Sequence, residues 1–110
     1  MQITSRSENN VTVFVLEGRA DSTGAGQMDD ALQHAVSEGQ SKIVLDMAGV
    51  SYINSAGLRT LADVLTKCRA NNGDLYLVSL SVKVERVFKI IGFDKFFTVF
   101  DSVATALVNF

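Results

Sequence analysis

The chain has 110 residues, 47% hydrophobic and 20% charged, which predicts one folded domain spanning residues 1–110. Its formal net charge of −2 provides no positive field for a phosphate backbone, and a single Cys with a single His exclude an internal disulfide and a usual zinc site. The charge therefore predicts no nucleic-acid partner. No apolar run approaches the roughly 18 residues that cross a bilayer, so we expect a cytoplasmic protein with no membrane insertion.

Two strands and a helix are predicted at the start of the chain. Residues Gln2–Glu8 alternate weakly and are typical of an edge strand, and an Asn-Asn pair joins them to the stronger inner run Val11–Leu16. Helical spacing of apolar residues then predicts an amphipathic helix over Thr23–Glu38, which Gly39 ends. The apolar positions of this helix are Met28, Leu32, Ala35 and Val36.

Three further strands alternate with three further helices. Strands are predicted at Lys42–Asp46, which should be central, at Leu75–Val78 and at Phe97–Phe100. A helix over Ser81–Ile91 and a short terminal helix capped by Asp101-Ser102 complete the series. The remaining helix carries one apolar stripe, formed by Leu58, Leu61, Ala62, Leu65 and Cys68, with Arg59, Asp63, Lys67 and Arg69 opposite.

The order β-β-α-β-α-β-α-β-α follows from these elements. Strands that alternate with helices pair in parallel through right-handed crossovers, and only the first two strands form a hairpin. We therefore predict an α/β fold whose mixed, mostly parallel sheet has about five strands and is accompanied by four helices.

The most informative stretch is Asp46–Leu58, which we expect to be a loop that joins the central strand to the second helix. Ser55 lies at the start of that helix, where either Ser55 or Asn54 is expected as the N-cap. The small residues Ala56 and Gly57 are expected to leave the serine uncovered. Leu58 stands where a capping-box glutamate would be, so the first-turn N–H groups are predicted to be open to a phosphoryl group.

Nucleophilic catalysis by Ser55 is the competing hypothesis, and it requires a base within hydrogen-bond reach. The only histidine, His34, falls on the polar side of the first helix and is predicted to be a solvated surface residue. No G-x-S-x-G, Walker or G-x-G-x-x-G motif is present. We therefore expect no enzyme and no cofactor, and Cys68 is interpreted as a small core residue.

A second polar segment, Gly18-Arg19-Ala20-Asp21, follows the inner strand. If the inner and central strands are parallel, this segment emerges at the same carboxyl edge as Ser55, and Asp21 then lies near the serine. The alternative is that Asp21 or Ser22 caps the first helix. The two roles are compatible.

These residues together resemble the STAS family, and within it the bacterial anti-sigma factor antagonists, over essentially the whole chain. Gly18-Arg19-Ala20-Asp21 is similar to the family's Gly-x-x-Asp, and residues 54–58 are similar to its phosphorylation motif Asp-Ser-Ser/Thr-Gly-Leu. The resemblance implies that Ser55 is the phosphorylation site and, because Ala56 lacks a hydroxyl, the sole acceptor in its motif. Well-studied members carry Glu where this chain has Arg19, which implies a differently charged partner.

The resemblance also implies a function for the chain. The unphosphorylated form binds an anti-sigma serine kinase and frees a sigma factor, phosphorylation of Ser55 ends that binding, and a serine phosphatase is a further implied partner. The alternative is a STAS subunit or docking module of another assembly, such as a lipid-transport ATPase or a stress-signalling complex. The predicted partner-binding residues are Arg19, Asp21, Asn54, Ser55, Ala56, Gly57, Leu58 and Arg59.

Overall fold

A computed structural model describes residues 1–110 and contains five strands and four α-helices in the predicted order. The strands are β1 (Gln2–Glu8), β2 (Val11–Ala20), β3 (Lys42–Ile53), β4 (Asp74–Val78) and β5 (Thr98–Phe100). The helices are α1 (Ser22–Ser37), α2 (Ser55–Ala70), α3 (Val82–Ile91) and α4 (Val103–Val108). A 3-10 turn at Phe93–Lys95, which the sequence pattern did not predict, follows α3.

The five strands form one sheet in the order β1-β2-β3-β4-β5. β1 is antiparallel to β2, and every other neighbouring pair is parallel. The hairpin turns through Asn9 and Asn10, whose φ angles of 52° and 64° lie in the left-handed region that asparagine tolerates. The predicted α/β architecture, with an edge hairpin and a central β3, is confirmed.

The sheet has a large hydrophobic cluster on one face and a small cluster on the other. The large cluster joins the sheet to α1, α2 and α3, since right-handed crossovers between sequential parallel strands place their helices on the same face. The small cluster lies under α4 and consists of Val11, Val13, Val44, Val78 and Ala106. Three of the four helices therefore form one layer, and α4 alone covers the opposite face.

β2 and β3 are both longer than the apolar runs that predicted them. The expected loop over Asp46–Leu58 is wrong, because β3 continues to Ile53, and Gly18, Arg19 and Ala20 belong to β2 instead of following it. Beyond Asp46 the partner of β3 is β2 alone, and the ladder contains two register shifts. One shift follows Gly18, whose φ of +118° a residue with a side chain rarely adopts.

The buried face of α2 agrees with the predicted stripe at three positions, since Leu61, Leu65 and Cys68 are buried. Leu58 and Ala62 are half-buried, and the burial of Thr60 and Val64 was not predicted. Burial raises the pKa of the Cys68 thiol to about 11, and the nearby charge of Asp74 adds to this shift. The thiol therefore stays protonated near neutral pH, as befits a core residue.

Replacing Leu61 by alanine tests the register of α2. Leu61 is fully buried, so Leu61→Ala should lower the free energy of unfolding by about 2–5 kcal/mol through lost burial and a residual cavity. Thr66→Ala, on the exposed face of the same helix, should change it by less than about 0.5 kcal/mol. Urea denaturation measures both variants, and equal effects would show that the helix register is wrong.

Candidate functional site

The starts of α1 and α2 lie side by side at the carboxyl edge of the sheet. Ala20 and Ile53 are the last paired residues of the parallel β2–β3 ladder. One residue further, the Asn54 N–H donates to the Ala20 carbonyl oxygen at 2.9 Å. The prediction that the two polar segments emerge at the same edge is confirmed. Asp21 and Ser55 each directly follow one of the two residues that this hydrogen bond joins.

Each helix is capped by the residue that precedes it. The Gly24 N–H donates to Asp21 Oδ1 at 3.0 Å, and the Gly57 N–H donates to Asn54 Oδ1 at 2.8 Å. Asn54, and not Ser55, is thus the N-cap of α2. The side chain of Ser55 is left exposed on the first residue of the helix, and its hydroxyl makes no hydrogen bond within the protein.

Two N–H groups at the start of α2 have no acceptor. The Gly57 N–H donates to the cap and the Leu58 N–H donates to the Asn54 carbonyl oxygen at 3.0 Å, so the predicted opening of the first turn applies only to the two residues before them. The N–H groups of Ser55 and Ala56 remain unpaired. These two N–H groups form the positive end of the helix dipole, next to the exposed side chain of Ser55.

Gly57, which was predicted on the partner-binding surface, is buried and packs inward. A Cβ atom at this position would lie 2.7 Å from Ile53 Cγ1 and 3.5 Å from Ala20 Cβ. The glycine therefore lets the first turn of α2 approach the ends of both strands, and the expectation that it keeps the serine uncovered is wrong. Leu58 also turns partly inward and packs on the large cluster. Of the motif, only Ser55 and Ala56 are exposed, while Asn54 is half-buried.

Two exposed arginines flank Ser55. The Arg19 guanidinium lies over the ring of Tyr52, 4.4 Å from its centroid, in a cation–π contact at the end of the β2–β3 ladder. Arg59 is four residues after Ser55 on α2, so the two side chains share a helix face. Neither arginine takes part in any of the four ion pairs of the protein. Asp21 is exposed between the two helix starts.

A polar network that was not predicted fixes α1 against α2. Asp29 Oδ1 accepts from the Thr60 hydroxyl at 3.0 Å and from Gln33 Nε2 at 3.3 Å. The same Gln33 nitrogen donates to Asp63 Oδ2 at 2.7 Å, and this bond together with Lys67 holds the pKa of Asp63 below its usual value. Thr60 could have been suspected from the sequence, because it interrupts the apolar face of α2.

The network forms the floor of a cavity of about 530 Å³ between the two helices. Ala56 and Arg59 from α2 and Ser22 from α1 line it, so the cavity opens next to Ser55. The candidate surface is consequently continuous from the helix starts into the groove between the helices.

No base accompanies Ser55. His34 is exposed, as predicted, and lies twelve residues after Ser22 on α1, which corresponds to about 18 Å along the helix axis. General-base activation of Ser55 requires a partner within hydrogen-bond reach, and the serine hydroxyl has none. The geometry therefore gives no support to nucleophilic catalysis by Ser55.

Comparison with known proteins identifies the family to which the chain belongs. The STAS domain family matches residues 2–106. BtrV of Bordetella bronchiseptica is 34% identical over 110 residues, covering 100% of this chain and 95% of that protein. The anti-sigma-B factor antagonist of Listeria monocytogenes is 33% identical over 95 residues, covering 84% of this chain and 80% of the other.

The fold is also that of the Bacillus protein SpoIIAA. Its unphosphorylated form superposes with a TM-score of 0.76 at 17% identity over 98% of this chain and 96% of the other. Its phosphorylated form gives a TM-score of 0.77 at the same identity, over 98% of each chain. The chain therefore belongs to the STAS domain family and has the STAS fold that its motifs implied. This is a family of regulatory binding domains, so the chain is not an enzyme. None of its helices has the length and apolar character that crossing a membrane requires.

Two glycine substitutions test the packing of the site. Gly57→Ala should lower the free energy of unfolding by about 1–3 kcal/mol, because the new methyl group meets Ile53 and overpacks the helix start. In α1, a methyl group added at Gly26 would meet no atom within 4 Å, so Gly26→Ala should raise stability by up to about 1 kcal/mol through helix propensity. Chemical denaturation compares the pair, and two stabilised variants would contradict the inward packing of Gly57.

Proposed function

We propose that the chain is an anti-sigma factor antagonist that is switched by phosphorylation of Ser55. The observation that carries the proposal is the division of roles at the start of α2, where Asn54 supplies the cap and the Ser55 hydroxyl stays exposed and unbonded. The names of relatives such as the Listeria anti-sigma-B factor antagonist support the class of function.

In the proposed cycle, the unphosphorylated domain binds an anti-sigma factor that is also a serine kinase, and the bound sigma factor is released. The docking surface consists of the exposed and half-buried groups around the two helix starts, namely Arg19, Asp21, Asn54, Ser55, Ala56, Leu58 and Arg59. Because Asp21 and Asn54 also hold their helices in place, the surface is ordered before the partner arrives.

The kinase then transfers the γ-phosphoryl group of ATP to Ser55. The serine oxygen forms a bond to the γ-phosphorus, the bond to the leaving ADP breaks, and the hydroxyl proton passes to a base of the kinase. Nucleotide and Mg²⁺ belong to the kinase, and this chain contributes only the acceptor. A serine phosphatase returns the domain to its binding form by hydrolysis of the phosphoserine.

Phosphorylation changes the surface and leaves the fold in place. The phosphate adds about −1.5 to −2 charges at pH 7 together with a bulky group, and both obstruct a partner that had packed over the serine. The unpaired N–H groups of Ser55 and Ala56 and the nearby Arg59 favour that charge. The common fold of SpoIIAA in its two forms supports a switch of this kind.

Substitution of Ser55 tests the switch. Each anti-sigma factor of the source genome is purified and titrated against the chain by calorimetry, with and without ATP. Ser55→Ala should bind one of them and stay bound after ATP is added, while Ser55→Asp should bind at least ten-fold more weakly. Ser7→Ala, at an exposed serine on β1, should behave as the unmodified protein does.

Mass spectrometry of the ATP-treated complex should find phosphate at Ser55 alone, and circular dichroism of the product should stay native-like. Phosphate at another residue, or normal ATP-driven release of Ser55→Ala, would overturn the assignment of Ser55. Binding to none of the anti-sigma factors would instead favour a docking role in another assembly.

A further inference from the structure

A narrow apolar slot adjoins the candidate site on the side of α3. β3 extends past the end of β4, and α3 packs against this extension. Between them lies a cavity of about 210 Å³. Its lining residues are Ser51, Tyr52, Ile53, Lys83, Val84 and Val87.

The slot is small, and its lining is mostly apolar. Ile53 and Val84 are 5% and 1% exposed and form a closed floor, while Tyr52, which is 41% exposed, and the half-buried Val87 form the walls. Small-molecule sites usually enclose about 300–1,000 Å³, so this volume is too small for most such ligands. An aliphatic or aromatic side chain inserted into a preformed slot of this kind is the usual anchor of a protein interface.

The rim of the slot is positively charged. Lys83 lines it directly, and Arg19 lies against the ring of Tyr52, which is one of the lining residues. Neither cation has an ion-pair partner, whereas Lys67 and Lys89 are each paired with an acid one turn away. Asp21 is the acid at this edge, and its Oδ1 is already engaged in capping α1. The rim therefore has the opposite sign to the net charge of −2 of the whole chain.

The slot is continuous with the Ser55 surface. Tyr52 and Ile53 are part of its lining, and Asn54 and Ser55 are the next two residues of the chain. A partner segment that covers Ser55 therefore lies two residues along the chain from the lining of the slot.

We propose that this slot receives one aliphatic or aromatic side chain from an acidic segment of the protein partner, with Lys83 and Arg19 binding the flanking carboxylates. The nature of the partner as an anti-sigma factor rests on the proposed function, while the chemistry of the segment rests on the slot itself. A phosphate on Ser55 repels the same carboxylates, so charge at the serine and occupancy of the slot oppose each other.

A peptide experiment tests the slot without any anti-sigma factor. The probe is a capped, seven-residue peptide with one central leucine among glutamates, titrated into the isotope-labelled chain and followed by amide chemical shifts. Shifts should concentrate at Tyr52, Lys83 and Val87, weaken with added salt, and disappear when the leucine is replaced by serine or the glutamates by lysines. Equal shifts with the lysine peptide, or shifts confined to another surface, would overturn the proposal.

Variants then test the slot in the full complex with the anti-sigma factor that binds the unmodified chain. Lys83→Glu, which reverses a rim charge, and Ser51→Leu, which fills the slot from an exposed position, should each weaken binding at least ten-fold. Lys95→Glu is the matched control, because Lys95 is an exposed, unpaired cation outside the slot, and it should change binding less than two-fold. Circular dichroism establishes that all three variants are folded.

Failures of the two proposals are distinguishable. If no anti-sigma factor binds but the acidic peptide does, the proposed function falls and the slot stands. If an anti-sigma factor binds and both slot variants bind it as the control does, the slot proposal falls alone. Two further results would also overturn the slot proposal. Chemical shifts at the slot that grow with the concentration of the chain itself would indicate that a second copy occupies it. Shifts that octanoate reproduces as well as the peptide does would indicate a small apolar ligand.

Discussion

The parallel ladder between β2 and β3 is the constraint on which the functional surface depends. The two strands continue together past the end of β4, and the Asn54 N–H closes the ladder on the Ala20 carbonyl oxygen at 2.9 Å. Because both strands end at this bond, the two following helices must start side by side. Gly57 completes the arrangement, since a larger residue there would push α2 away from Ile53 and Ala20. The ladder, and not either helix alone, brings residues more than thirty positions apart onto one edge.

In the same geometry, the residues that cap the two helices are different from the residue with the free hydroxyl. Asp21 and Asn54 use their side-chain oxygens to accept from N–H groups of their own helices, which stabilises helix starts by about 1 kcal/mol each. Ser55 is therefore not the N-cap of α2, and its hydroxyl is free although serine is a common N-cap residue. Across the groove, the bonds from Thr60 to Asp29 and from Gln33 to Asp63 hold α1 and α2 at a fixed separation. A charge added at Ser55 consequently meets a surface that has little freedom to rearrange.

Local sequence signals predicted the element order, and long-range contacts account for most of what they missed. The hairpin, the end of α3 at Ile91 and the cap of α4 at Ser102 are local features, and each lies where the pattern placed it. The extension of β3 was missed because Ala48, Gly49 and Ser51 interrupt the apolar run, and only pairing with the distant β2 keeps them in a strand. Gly57 was misinterpreted because its neighbours Ile53 and Ala20 come together only in the folded sheet. The slot was not predicted for the same reason, since Tyr52 and Lys83 are thirty-one positions apart in the sequence.

The exposed cations at this edge have a consequence for how related domains stay distinct within one cell. Arg19, Arg59 and Lys83 belong to neither hydrophobic cluster and to none of the ion pairs, so replacing them changes little in the folding energetics of the chain. If these charges select the partner, as proposed above, a duplicated gene can acquire a different partner through a handful of substitutions that the core of the domain does not oppose. Related domains in one cell would then be kept from binding each other's partners by a few surface charges at the same edge of the sheet. Selection can change these charges without disturbing the fold.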